Sequence, residues 1–416
     1  MIRRFVSFFS RLNKTEKQTF SYLFLAQSFN GICLGILILQ EVVLRKTLSG
    51  SPFQITLLTM VNPVANLFII FVMDIFSRIK KRKTVFMLLG VFGKLILVLM
   101  FFAESSVSFL AILIVYSILN VLLNPFFTGI MQKNVRKMNR GIIYGITGSS
   151  GTLFSVIASL FAGFALDFNQ MYFQMLFAFA GVMGFLCCYF YTKIEVEEKN
   201  ENPKEKNGIF DFVKPVKQTL RVLKHDKDFL LFEIFFFIYG MGFMIVLPSI
   251  PIYFVDALHL DYSQISMAKG FIGQFGLILF LPLMGFFSDR MNPMIFSAGS
   301  FFLLAFYPLL LFFSNFANDK ILFVYAAFSI YSISMAGVSV LWDLSTIFFA
   351  KDKDSKPYQV VHIFLTGIRG VFVPIIGFLM LKAFGVFPVF LTSFILYITA
   401  AVSMLFLYFS YKKKQA

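Results

Sequence analysis

The chain has 416 residues, of which 58% are hydrophobic and 14% charged, and its 37 Lys and Arg outweigh 21 Asp and Glu to leave a formal net charge of +16. Soluble domains carry roughly 45–50% apolar and about 25% charged residues, so a water-soluble globule is excluded and a polytopic membrane protein is indicated. The three cysteines, Cys33, Cys187 and Cys188, sit inside apolar runs without the spaced, even pairing of a disulfide framework.

Residues 1–19 are basic and amphipathic. They lack the short apolar core and small-residue cleavage site of a secretory signal, and read as a cytoplasmic N-terminal segment. A membrane helix needs about 20 mostly apolar residues. Twelve such runs follow, at 20–43, 54–76, 84–104, 107–130, 142–166, 171–192, 229–255, 264–287, 294–315, 321–342, 358–381 and 388–411. Only helices and closed barrels satisfy the backbone in lipid, and runs this continuous exclude the alternation of barrel strands. The expected fold class is therefore an all-α polytopic membrane protein with twelve transmembrane helices. The expected organisation is a segment 1–19, a six-helix bundle 20–192, a cytoplasmic linker 193–228, a second six-helix bundle 229–411 and a tail 412–416. The linker carries nine basic and eight acidic residues. Within it Phe210, Val213, Val216 and Leu220 recur at helical spacing, which predicts an amphipathic surface helix.

Basic residues set orientation. Thirty of the 37 fall in the N-terminus, the even-numbered loops and the C-terminus, against four in the odd-numbered loops (Arg45, Lys46, Lys320, Lys382). Both termini and the linker are thus expected on the cytoplasmic side of a plasma membrane. The high positive charge then marks topology, not a nucleic-acid partner.

The two halves echo each other. Ser51-Pro52-Phe53-Gln54-Ile55-Thr56 opens span two, and Asp261-Tyr262-Ser263-Gln264-Ile265-Ser266 opens span eight. Thr147-Gly148 in span five matches Thr366-Gly367 in span eleven. The offsets are 210 and 219 residues. Parallel repeats of this kind build many transporters, with the site near the midplane.

After span eight the chain reads Gly285-Phe286-Phe287-Ser288-Asp289-Arg290-Met291-Asn292-Pro293. This resembles the Gly-x-x-x-Asp-Arg-x-Gly-Arg-Arg loop of the major facilitator superfamily. The loop after span two is a degenerate copy, with Asp74 where the family has Gly and Arg78 where it has Asp. The resemblance implies two pseudo-symmetric six-helix bundles. It also implies that Gly285, Asp289 and Arg290, with Asp74 and Arg78 in the first half, act as gating-loop latches; the alternative is that these charges only fix topology. Spans one, four, seven and ten line the cavity in that family, which would place Asn30, Asn120 and Ser332 there. The Gly-Pro-x-x-Gly-Gly pattern of drug–proton antiporters is missing from span five, and sugar- and peptide-porter signatures are not visible, so no subfamily follows.

Ionisable residues deep in a span are functional candidates by default. Lys94 is 11 residues past Lys83, about 16 Å along a helix at ~1.5 Å per residue. Arg369 lies between Gly367 and Gly370, Lys269 lies in span eight, and Glu233 lies early in span seven. A cavity with Lys94, Lys269 and Arg369 would attract an anionic or polar-headed substrate. The competing reading makes them structural ion pairs, Lys94 with an acid such as Glu41. Asn62 in span two, Asn120 and Asn124 four apart in span four, Gln27 and Asn30 in span one, Gln274 in span eight and Ser332 in span ten complete the substrate-pathway candidates. Each also suits plain inter-helix hydrogen bonding. Pro248 and Pro251 predict a break in span seven.

Catalytic readings find little support. His225, His259 and His362 are scattered, no Cys/His metal spacing exists, and no phosphate-binding glycine loop is present. The expected protein is not an enzyme and uses no cofactor or metal. It is a monomer whose partners are a small-molecule substrate and the lipid bilayer. The function expected is secondary active transport of an anionic or amphipathic small molecule by rocker-switch alternating access. The alternatives are a multidrug or amphiphile exporter, or a non-transporting membrane sensor on the same fold.

Overall fold

The computed structural model describes residues 12–77, 82–195, 221–350 and 356–415, and every regular element among them is helical. In chain order the principal helices are α1 (Lys14–Leu37), α2 (Pro52–Ser77), α3 (Lys83–Phe102), α4 (Ser106–Val121), α5 (Lys137–Phe168), α6 (Phe173–Thr192), α7 (Lys227–Val246), α8 (Tyr262–Ser288), α9 (Pro293–Ser314), α10 (Lys320–Ala350), α11 (Lys356–Phe384) and α12 (Val386–Gln415). Among the described residues ten helices are long and apolar enough to cross a membrane. Of the other two expected spans, α2 is a 26-residue helix and α4 a 16-residue apolar helix followed at once by Leu123–Asn134. The amphipathic helix expected within 210–223 falls almost wholly outside the described residues.

Local chemistry explains where the helices begin. Asn13 caps α1: its Oδ1 accepts from Glu16 N at 2.7 Å, and the Glu16 carboxylate accepts from Asn13 N at 3.1 Å. This reciprocal box satisfies two backbone donors that a helix start leaves free. Asn292 caps α9, with Pro293 at the first helical position, where its missing N–H costs nothing. Three helices depart from regular α geometry. In α3 a π segment spans Leu89–Lys94 and a 3-10 segment Leu95–Phe102. In α8 a π segment spans Met267–Phe275. The continuation of α7 breaks at Leu247–Pro248 and resumes as Ser249–Ile252 and a π turn Tyr253–Ala257. π insertions widen the helix locally and are frequent at functional sites.

The chain divides into two compact units. The first comprises Met1–Gln40 and Phe68–Ile209. In it α1 packs closely on α5, because a Cβ on Gly31 would overlap the Gly151 carbonyl oxygen. Small residues that bring backbones together are the usual means of helix association in lipid. The unit's apolar core holds Leu23, Phe86, Leu89, Ile130, Cys188 and Tyr191. At its N-terminal end Glu16, fully buried, accepts from Arg136 N and Nε, both at 3.0 Å, from Arg136 Nη2 at 2.7 Å and from Asn139 Nδ2 at 2.9 Å.

The second unit comprises Glu41–Leu67 and Phe210–Ala416. Within this unit Glu41–Leu67 groups with the later helices. The physical ties are explicit. Arg45 forks onto Asp256, Lys46 Nζ donates to Leu260 O at 2.7 Å, and Thr47 bonds Tyr262. Large apolar side chains stand exposed along both units, including Phe161, Phe164 and Phe168 on α5 and Phe406 and Phe409 on α12. Such surface suits a hydrocarbon solvent.

Candidate functional site

In the first unit the helices enclose a cavity of about 370 Å³ lined by Gln27 and Asn30 of α1, Asn120 of α4, Phe127, Tyr144 of α5 and Tyr191 of α6, among others. That volume lies within the range of small-molecule sites, which are mostly apolar with a few convergent polar groups. Lys94 lies behind this lining. It has no exposed surface and sits at the end of the π segment of α3. Its Nζ donates to Asn120 Oδ1 at 2.6 Å, Asn30 Oδ1 at 3.0 Å and Tyr116 OH at 3.4 Å, and it stands 5.1 Å from the centre of the Tyr116 ring. Gln27 Nε2 donates to Tyr191 OH at 3.0 Å. The structure thus brings Lys94, Asn30, Asn120 and Gln27 together. Asn124 follows α4 beyond a helix break at Leu122, and its side chain is outside the described set.

The second unit holds the other charged candidates that lie deep in a span. Lys269, in the π segment of α8, pairs with Glu41 at 2.7 Å. Both line a cavity of about 190 Å³ with Tyr307, Phe328 and Tyr331. Glu41 is therefore the partner of Lys269, not of Lys94. Deeper, His362 Nδ1 lies 2.9 and 3.2 Å from the two Glu233 carboxylate oxygens. The imidazole packs edge-on against Trp342 at 4.4 Å and Phe236 at 4.7 Å. Two turns further along α11, Arg369 is 3% exposed and donates from Nη1 to Phe236 O at 2.8 Å. Gly240 gives it room, since a Cβ there would overlap the guanidinium. Arg369 and Glu233 are thus buried at the α7–α11 contact and line neither of the two cavities.

The remaining sequence candidates scatter. Ser332 is buried and donates to Ser329 O at 2.8 Å within its own helix. Gln274 is half-buried in the π segment of α8, and Asn62 on α2 is exposed. Gly285, in the last turn of α8, has open space beside it. Asp289 and Arg290 are exposed in the following turn, where the Arg290 guanidinium lies 3.4 Å above the Phe286 ring. Asp74's side chain and all of Arg78 lie outside the described residues. Sequence reasoning missed Tyr116, Tyr144, Tyr191 and Phe127. Tyr116 had a usable signal, being four residues before Asn120 and so on the same helix face. Tyr191 had none.

Long apolar helices that hold a polar-lined cavity are an arrangement that suits a membrane transport protein. The chain belongs to the Major Facilitator Superfamily, whose family profile matches residues 23–355. Among solved structures it is similar to a POT family transporter in complex with a thioalcohol-conjugated peptide (13% identity, TM-score 0.74, covering 94% of this chain and 96% of that one). It is similar also to a bacterial homologue of the human lysosomal transporter Spinster (14% identity, TM-score 0.71, 95% and 97% covered) and to the nucleoside transporter NupG (13% identity, TM-score 0.68, 95% and 99% covered). At these identities the likeness establishes the fold alone. No curated protein matches the sequence.

Proposed function

We propose that this protein is a secondary active transporter that moves a small polar molecule across the plasma membrane by alternating access, as a monomer with both termini in the cytoplasm. The reading places the cavity of the first unit on the substrate path. Family membership supports transport in general. One observation carries the site: three polar side chains from two helices, Gln27, Asn30 and Asn120, converge on one cavity with aromatic walls. The basic residues of the even-numbered loops and tails support the orientation.

The test is flux into proteoliposomes, using labelled organic anions, amines, nucleosides and short peptides in turn. One class is expected to exchange across the membrane well above protein-free liposomes. Gly148 lines the cavity and has open space beside it, so Gly148→Leu should plug the site and abolish that flux while the protein still folds. Full flux in Gly148→Leu would remove the cavity from the path. No flux for any class would favour a sensor.

A further inference from the structure

Lys94 is an ammonium, a group with three donors and no acceptor. Whatever atoms it touches must present oxygen to it, so the side-chain amides of Asn30 and Asn120 have only one orientation open to them. Both Oδ1 atoms face Nζ, at 3.0 and 2.6 Å. Both Nδ2 groups are turned away from it, and both residues line the cavity. On the same wall Gln27 is pinned through its Nε2 to Tyr191.

The charge is the second observation. Among the described residues Lys94 forms no ion pair; the nearby-sequence candidate Glu41 is engaged by Lys269. Asn120 Oδ1 occupies the position where an isosteric aspartate would neutralise the ammonium at ideal distance. A buried charge without a counter-charge is costly, and Asn at this position leaves one net positive charge behind an otherwise neutral wall. The same cavity is also lined by Phe127, Tyr144 and Leu34.

Resting on the reading of this cavity as the transport site, we infer that its ligand is a small monoanion, a carboxylate on an apolar body. The ligand's oxygens accept from Asn30 and Asn120 Nδ2, and its charge supplies the balance that the wall lacks. A single ammonium matches one negative charge, so a phosphate dianion fits less well. Lys94 acts as a positioning residue: it never touches the ligand but fixes both amides as donors and sets the sign of the site.

The test uses the full-length protein in nanodiscs and four probes of common shape: benzoate, phenyl phosphate, benzylamine and benzyl alcohol. Calorimetric titration and thermal unfolding report binding. Benzoate is expected to bind and raise the unfolding temperature, phenyl phosphate to bind more weakly when dianionic, and the amine and the alcohol not to bind. Asn120→Asp should separate structure from recognition. It gives Lys94 its missing carboxylate, so the free protein unfolds at a higher temperature. It also cancels the charge and converts a donor to an acceptor, so benzoate binding weakens by at least about tenfold, or ~1.4 kcal/mol. Benzylamine or benzyl alcohol binding as tightly as benzoate, phenyl phosphate binding more tightly, benzoate binding unchanged in Asn120→Asp, or no probe binding at all would each overturn the monocarboxylate assignment. Loss of flux in Gly148→Leu would stand independently of all of these, because that variant probes the path and not its selectivity.

Discussion

Lys94 Nζ and Asn120 Oδ1 lie 2.6 Å apart, in the first unit, with the lysine wholly buried. In the second unit Lys269 is the same residue type in an equally apolar sequence, yet it meets a carboxylate, Glu41, at 2.7 Å. One lysine meets a carboxylate; the other is held by two amides and a phenol. That contrast separates the two cavities: the larger is backed by a lysine with only neutral partners among the described residues, the smaller is lined by an ion pair.

Lys94→Met tests the electrostatic side of this contrast. Two opposing terms act on stability. Removing the ammonium relieves a desolvation penalty, while the two amide oxygens and the Tyr116 hydroxyl lose their donor at about 1–3 kcal/mol for each group left unsatisfied. The unfolding temperature should therefore move little, whereas flux of a transported anion should fall roughly tenfold or more, the equivalent of losing ~1.4 kcal/mol of binding. Parallel thermal unfolding and liposome flux check both halves.

Gly31→Ala tests the α1–α5 contact that holds Gln27 and Asn30 in place. The obstacle is backbone, the Gly151 carbonyl, so no rotamer change relieves it. The expected cost is at least about 1–3 kcal/mol, as for overpacked cores. Gly148→Ala, on the same helix as Gly151 but beside open space, should be close to neutral. Thermal unfolding of the two variants side by side gives the comparison.

Gly240 and Arg369 should show strong non-additivity. Gly240→Ala displaces the guanidinium from the Phe236 carbonyl and should destabilise by about 1–3 kcal/mol. In an Arg369→Met background the obstructed group is gone, so the same substitution should cost much less. A double-mutant cycle measures this, because residues in direct contact couple whereas distant ones add. Equal costs in both backgrounds would contradict the packing described.

Glu233 and His362 form a buried pair with side chains 3% and 0% exposed. Removing either alone strands a polar or charged group, and breaking a buried pair costs about 3–5 kcal/mol. Glu233→Leu combined with His362→Leu should cost clearly less than the sum of the single changes, since apolar replacement of a whole buried pair is often tolerated. Equilibrium unfolding of the three variants decides it.

Membrane helices are set by local runs of apolar residues, and that information is contiguous. The helical fold class, the boundaries of most spans and the break at Pro248 were all readable from the chain, because hydrocarbon imposes its demand on each stretch of about 20 residues separately. Gln27, Asn30 and Asn120 were picked out for the same reason, as polar groups that lipid should exclude. Pairing is a different kind of information. Lys94 meets Asn30 across 64 residues and Asn120 across 26, and Gln27 meets Tyr191 across 164; no periodicity records such distances. Sequence named Arg369, between Gly367 and Gly370, as a substrate-pathway candidate. Only the packing of α7 on α11 turns it to the Phe236 carbonyl, in the space Gly240 leaves, and leaves the cavity wall to amides oriented by a lysine behind them. The solvent determined what each segment is. Close contacts between distant segments, enforced by small residues and by unpaired donors seeking oxygen, decided which polar groups face one another.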